Sequence, residues 1–295
     1  MAEKTTTYYV PESSPWPLMA SIGLFLMAVG GGHFIQQSTA TVANEGSWGG
    51  AVLTVGTLWI IAVMFLWWRD AVRESLAGLH STQMDISYRQ GMLWFIFSEV
   101  MFFAAFFGAL FYVRWLVVPW LGGAGHGAMT HEILWPNFQA MWPLTTTPTG
   151  ETTQAMGAWG LPAINTAILV ISSLTLSVAH HALVANERGK LILWQGITIV
   201  LGLIFLSLQA WEYVIAYRDM GLTLEAGIYG SLFFLLTGFH GVHVTIGLLF
   251  LIVLFIRVLK GHCTPDNHFS WEAGAWYWHF VDVVWLFLFV VVYWL

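Results

Sequence analysis

Long apolar stretches separated by short polar ones run through nearly the whole chain. Seven of them, at approximately 16–37, 48–68, 90–119, 161–184, 190–216, 227–259 and 271–295, are long enough to cross a bilayer core, which takes about 20 apolar residues as a helix. Inside these stretches the apolar residues run on without period-two alternation, so the pattern predicts helices and not barrel strands. The third and sixth exceed what a crossing needs and are expected to tilt or to project beyond the bilayer. The polar segment RDAVRESLAGLHSTQMDISYR separates the first two spans from the other five. The expected organisation is one all-α integral membrane domain over 1–295. Its first two helices lie in 1–68, an inner connection in 69–89, and a five-helix bundle with an outer loop at 120–160 in 90–295.

Composition agrees with lipid as the main solvent. The chain is 58% hydrophobic and 9% charged, whereas a soluble domain carries about 25% charged residues to cover its surface. The net charge of −6 is scattered over short connections, which argues against a nucleic-acid partner. The single cysteine, Cys263, excludes an internal disulfide and a cysteine-based metal cluster. The N-terminal MAEKTTTYYVPESSPWP is polar and lacks the charged-then-apolar order of a cleavable signal.

Charge also orients the spans. Lys4, Arg69, Arg73, Arg89, Arg188, Lys190, Arg257 and Lys260 fall on one side of seven crossings, and only Arg114 and Arg218 on the other. By the positive-inside rule the N-terminus is expected inside and the C-terminus outside. The loop WLGGAGHGAMTHEILWPNFQAMWPLTTTPTGETTQAMGAWG has no Lys or Arg, and its Trp residues are expected at the membrane interface, as are Trp and Tyr near the span ends.

The candidate chemistry lies in the polar groups set into apolar runs. Glu99, in FIFSEVMFFAAFFGALFYV, falls about ten residues into the third span, roughly 15 Å deep. A lone carboxylate there costs several kcal/mol, so the group is expected to be protonated or to face other protein. Two readings stand: a proton relay or subunit-coupled site, and a neutral acid hydrogen-bonded between helices. The later spans add His180 and His181 in VAHHAL, Gln209 and Glu212 in LQAWEY, His240 and His243 in TGFHGVHVTIG, and Glu272, His279 and Asp282 in EAGAWYWHFVDVVW. Spacings of three and seven put the last three groups each on one helix face. Haem or copper ligation would use such histidines, but the sets are incomplete, and His–Asp or His–Glu bonds between helices account for them. No metal ligand and no catalytic residue is therefore assigned. Arg69, Arg73, His80, Arg257, Lys260 and His262 sit just beyond span ends, where they act as topogenic charge or as a basic pocket for anionic phospholipid.

SPWPL, WWRDAVRES, FSEVMFFAAFF, INTAILVISSLTLSVAHHAL, LQAWEY, GFHGVHVTIGLLFLI and AWYWHFVDVVWLFLFVVVYW occur in this order. Together they closely resemble subunit III of cytochrome c oxidase, the haem–copper terminal oxidase of respiratory chains, over nearly the whole chain. The resemblance implies seven helices divided two plus five around a V-shaped cleft that holds phospholipid. It implies no cofactor in this chain, with haem and copper in partner subunits I and II, and cytochrome c as donor to the complex but not to this chain. By the same motifs Glu99 corresponds to the family's buried carboxyl, and Trp68, Glu74, His80, Arg257 and His262 to positions lining the lipid headgroups. The outer loop is longer than in the mitochondrial subunit, which points to a bacterial inner membrane. The expected function is support of the complex's stability and of sustained proton uptake. The alternatives are subunit III of a quinol oxidase, which usually lacks the first two spans, and a stand-alone proton carrier, for which inverted repeats and broken midplane helices are missing from the sequence. A membrane haem protein is the third.

Overall fold

The computed structural model describes residues 13–38 and 48–295; Lys4, which enters the charge count, lies outside them. Among the described residues there are seven helical spans long and apolar enough to cross a membrane. They are built from α1 (Trp16–Ser38), α2 (Gly49–Leu76), α3 (Thr82–Tyr112) with its continuation, α6 (Leu161–Val184), α7 (Arg188–Asp219), α8 (Ile228–Leu259) and α9 (Phe269–Leu288). A π-helical turn at Val113–Val117 and the short α4 (Val118–Leu121) prolong α3, another π-turn at Phe289–Trp294 prolongs α9, and α5 (Ala128–Leu134) lies in the long loop.

Two helix ends differ from the hydropathy pattern. α2 runs on to Leu76 and α3 begins at Thr82, so most of the polar segment 69–89 is helical. Arg, Glu, Leu and Ala are good helix formers, and Asp70 pairs with Arg73 one turn on at 3.6 Å. Hydropathy registers the membrane and not the helix, so it stops where the side chains become polar.

The chain forms two compact units, residues 1–88 and 89–295. In the first, α1 and α2 lie so close that a Cβ on Gly30 would come within 2.4 Å of the Leu53 backbone nitrogen, and one on Gly56 within 2.8 Å of that of Met27. Small residues at such a contact let two backbones gain dispersion contacts that bulky side chains would prevent. The Trp59 indole N–H adds a bond to the Met19 carbonyl at 2.8 Å.

In the second unit α9 is the most deeply buried span. Trp271, Trp278 and Trp285, seven residues apart, are fully buried. Each indole N–H finds a side-chain acceptor: Gln195 Oε1 at 3.1 Å, Ser172 Oγ at 3.0 Å and Thr166 Oγ1 at 3.0 Å. These tryptophans are core rungs and not interface anchors. A period of seven keeps them on one face of the helix, and the donors they bury must be satisfied.

Arg188 and Lys190 in the first turn of α7 and Lys260 just after α8 mark the basic end of this unit. Arg188 donates to the Val258 and Leu259 carbonyls at 3.1 and 2.9 Å, which closes the last turn of α8. The opposite end carries the long loop, which is packed against the unit. The Gln154 amide and the Thr153 hydroxyl both donate to the Met220 carbonyl, and Trp142 meets Tyr229 edge-on. Phe138, Leu144 and Ala158 join the core. Of the loop tryptophans, Trp120 and Trp159 are exposed, as interface residues would be, whereas Trp142 is turned inward.

Candidate functional site

Glu99 and His243 face each other between α3 and α8, with 2.9 Å between Oε2 and Nε2. His243 Nδ1 lies 2.7 Å from the Phe239 carbonyl. A carbonyl only accepts, so Nδ1 carries a hydrogen and donates it. That leaves Nε2 and Oε2 to share one proton. Either the carboxyl donates to a neutral ring, or a protonated ring donates to the carboxylate. The pair is neutral overall in both forms, which is what makes an acid at this depth affordable. Phe103, Phe102 and Tyr277 surround the ring at centroid distances of 4.9, 5.7 and 6.5 Å. The pairing of Glu99 with His243 could not be read from the sequence, where 144 residues separate them.

The other polar residues set in the spans resolve into separate contacts. His240, fully buried, engages the Val281 carbonyl at 3.1 Å and leans on Trp285, so it does not act with His243 despite the spacing of three. Glu272 makes an ion pair with Arg89 at 2.7 Å, and the Arg89 guanidinium sits over the Phe269 ring. His279 bonds to the Ser173 hydroxyl, and Asp282 lies beside the same hydroxyl. Of the three residues on this face, His279 and Asp282 meet at Ser173, whereas Glu272 pairs with Arg89. His180 stacks on Trp271 near His268, and His181 Nδ1 donates to the Ser177 carbonyl of its own helix at 2.8 Å. Glu212 accepts from Tyr293 at 2.7 Å. Ser173 and Tyr293 carry two of these arrangements and were not singled out by the sequence. The period-seven tryptophans were visible in it.

The candidate lipid residues fall in both units. In the first, Asp70 lies 3.4 Å from Arg69 and 3.6 Å from Arg73. Trp68 is partly exposed, Glu74 follows Arg73 on α2, and His80 meets Tyr88 edge-on. In the second, Arg257 donates to Ser270 Oγ at 2.7 Å. Lys260 and His262 follow on the same connection. Partial burial, with Arg257 and Lys260 nearby, holds His262 below the usual imidazole range. Burial raises the Cys263 thiol, and Arg257 offsets part of this.

Among the described residues no group of three His, Cys, Asp or Glu side chains could hold a metal ion. The fold defines a multi-pass, all-helical membrane protein in which Glu99 faces His243 and Glu272 faces Arg89. Residues 6–295 match the family model described as cytochrome c oxidase subunit III. The chain is 41% identical over 290 residues to cytochrome c oxidase subunit 3 of Marchantia polymorpha, covering 97% of this chain and 96% of that one. It is 40% identical over 295 residues to the protein of the same name from Danio rerio, covering 100% and 99%. With that of Arabidopsis thaliana it shares 39% over 289 residues, covering 98% and 96%. The chain belongs to the cytochrome c oxidase subunit III family, and so to an oxidase complex with other subunits.

Proposed function

We propose that the chain is a cofactor-free core subunit of cytochrome c oxidase that supports the complex's stability and its sustained proton uptake, and binds structural phospholipid. Subunits I and II are its partners and hold the haem and copper. Cytochrome c gives electrons to the complex and not to this chain. Trp68, Arg69, Arg73, Glu74 and His80 in one unit, and Arg257, Lys260 and His262 in the other, are the proposed headgroup contacts. An N-terminus on the inner side of a bacterial inner membrane belongs to the same reading, from the charge asymmetry and the long outer loop.

The observation that carries the proposal is the Glu99–His243 pair. It exchanges one proton in place without changing its total charge, and aromatic rings enclose its imidazole. Such a pair tunes local structure and proton availability. Its other hydrogen bond runs from His243 Nδ1 to the Phe239 carbonyl, a group that does not take up a proton.

Glu99→Gln tests this. The glutamine amide can still donate to His243 Nε2, so the complex should assemble and reduce oxygen at a near wild-type initial rate. Glu99→Lys, which faces the ring with a cation and loses the shared proton, should impair assembly. Oxygen consumption and the proton-to-electron ratio in vesicles are the measurements. Collapse of oxygen reduction in a fully assembled Glu99→Gln complex would put Glu99 on the obligatory path and sink the supporting role.

A further inference from the structure

Gln209 and Glu212, one turn apart on α7, are buried yet incompletely matched. Among the described residues neither polar atom of the Gln209 amide nor Oε2 of Glu212 has a hydrogen-bond partner, whereas buried polar groups are nearly always satisfied. The neighbouring hydroxyls have already committed their protons. Tyr293 donates to Glu212 Oε1. Thr237 donates to the Phe233 carbonyl at 2.6 Å, so in its 2.7 Å contact with Tyr213 the tyrosine is the donor. Gln209 lies beside both tyrosines without reaching bonding geometry.

We propose that Gln209 and Glu212 hold an internal water site near the loop end of the 89–295 unit. Water both donates and accepts, and therefore meets the carboxyl in either protonation state. The π-turn at Phe289–Trp294 contributes to the site. The buried tryptophan rungs of α9 recur every seven residues, at 271, 278 and 285, but the next buried aromatic donor on that side is Tyr293, eight residues on. A π-turn takes up one extra residue, and it carries Tyr293 under Trp285, with 5.9 Å between rings, and onto Glu212. Further toward that end the loop is fastened to Met220 and Tyr229, so exchange of this water with bulk is slow.

Radiolytic hydroxyl footprinting of the purified oxidase complex in heavy-oxygen water tests the site, because water cleaved in place labels its neighbours. Tyr293, although buried, should be labelled more than Trp278, whose indole N–H is bonded to Ser172 and whose ring is the more reactive of the two. The heavy isotope should enter that label slowly after mixing. Gln209→Met, close in volume and without the amide, should bring Tyr293 down to the level of Trp278. Tyr293 labelled no more than Trp278 in the wild-type complex would overturn the proposal. So would a water-resolving map of the wild-type complex in which Gln209 and Glu212 bond to protein groups with no density beside them. The map does not depend on any variant folding.

Discussion

The α1–α2 hairpin and the α9 surroundings solve the same problem by different means. Lipid offers no hydrophobic drive for one helix to seek another, so association rests on close packing and on polar bonds. The hairpin uses the first. Its spans are only 11% and 17% buried, and the contact is made by backbone approaching backbone at Gly30 and Gly56. The α9 span is 61% buried and uses the second, with large aromatic rings whose N–H and O–H groups are each received by a neighbouring helix. A glycine contact has no slack, whereas an aromatic rung combines area with a directional bond.

Trp278→Ala should have the largest effect. It removes a fully buried indole and the bond that Ser172 Oγ accepts from it, at a cost of about 3–5 kcal/mol by analogy with large-to-small core changes. Thermal dissociation of this chain from the purified complex reads the loss. Trp278→Phe should recover most of it, and a residual deficit of about 1 kcal/mol would measure the bond itself. If the phenylalanine variant were as weak as the alanine one, the rungs would owe their strength to the bond and not to area.

Gly30→Ala comes next, at about 1–3 kcal/mol, since the new methyl meets Leu53 backbone, which cannot rotate aside. Gly32→Ala, with open space at its Cβ, should be neutral or slightly stabilising. Protease accessibility of the α1–α2 hairpin in the complex distinguishes the two. Equal behaviour of both variants would refute the close-contact account of the hairpin.

The smallest expected effect compares the charged ends of the two units. Arg73 is largely exposed and shares Asp70 with Arg69, whereas the Arg257 guanidinium is fixed by a neutral hydroxyl and keeps its full charge for a phosphate. Arg257→Ala should therefore lose more anionic lipid than Arg73→Ala, by mass spectrometry of the purified complexes. His262 adds a pH dependence. Its pKa is lowered in the fold, so it is neutral at pH 7, and its protonation in acid costs fold stability as pH falls below the usual imidazole range. A bound phosphate opposes that cost, so retained lipid should rise as pH falls. His262→Gln should flatten the rise. Retention that falls with acid in wild type would count against an anion at Arg257, Lys260 and His262.

Bilayer thickness sets how long an apolar run must be, and that constraint acts locally along the chain. The sequence alone therefore determined the number of spans, their helical nature and the place of Glu99 within the third, and the excess of Lys and Arg on alternate connections gives an expected orientation. Helix ends were less legible: α2 reaches Leu76 because polar residues continue a helix that hydropathy no longer marks. Which polar group meets which was decided only by the tertiary structure. Glu99 with His243, Arg89 with Glu272, and Tyr293 with Glu212 depend on how far each helix is rotated about its axis and which helix stands beside it. A run of apolar residues on every face leaves that rotation open, and the α9 π-turn then shifts the register once more. Close contacts of rings and backbones choose among the rotations, and those contacts exist only between segments far apart in sequence.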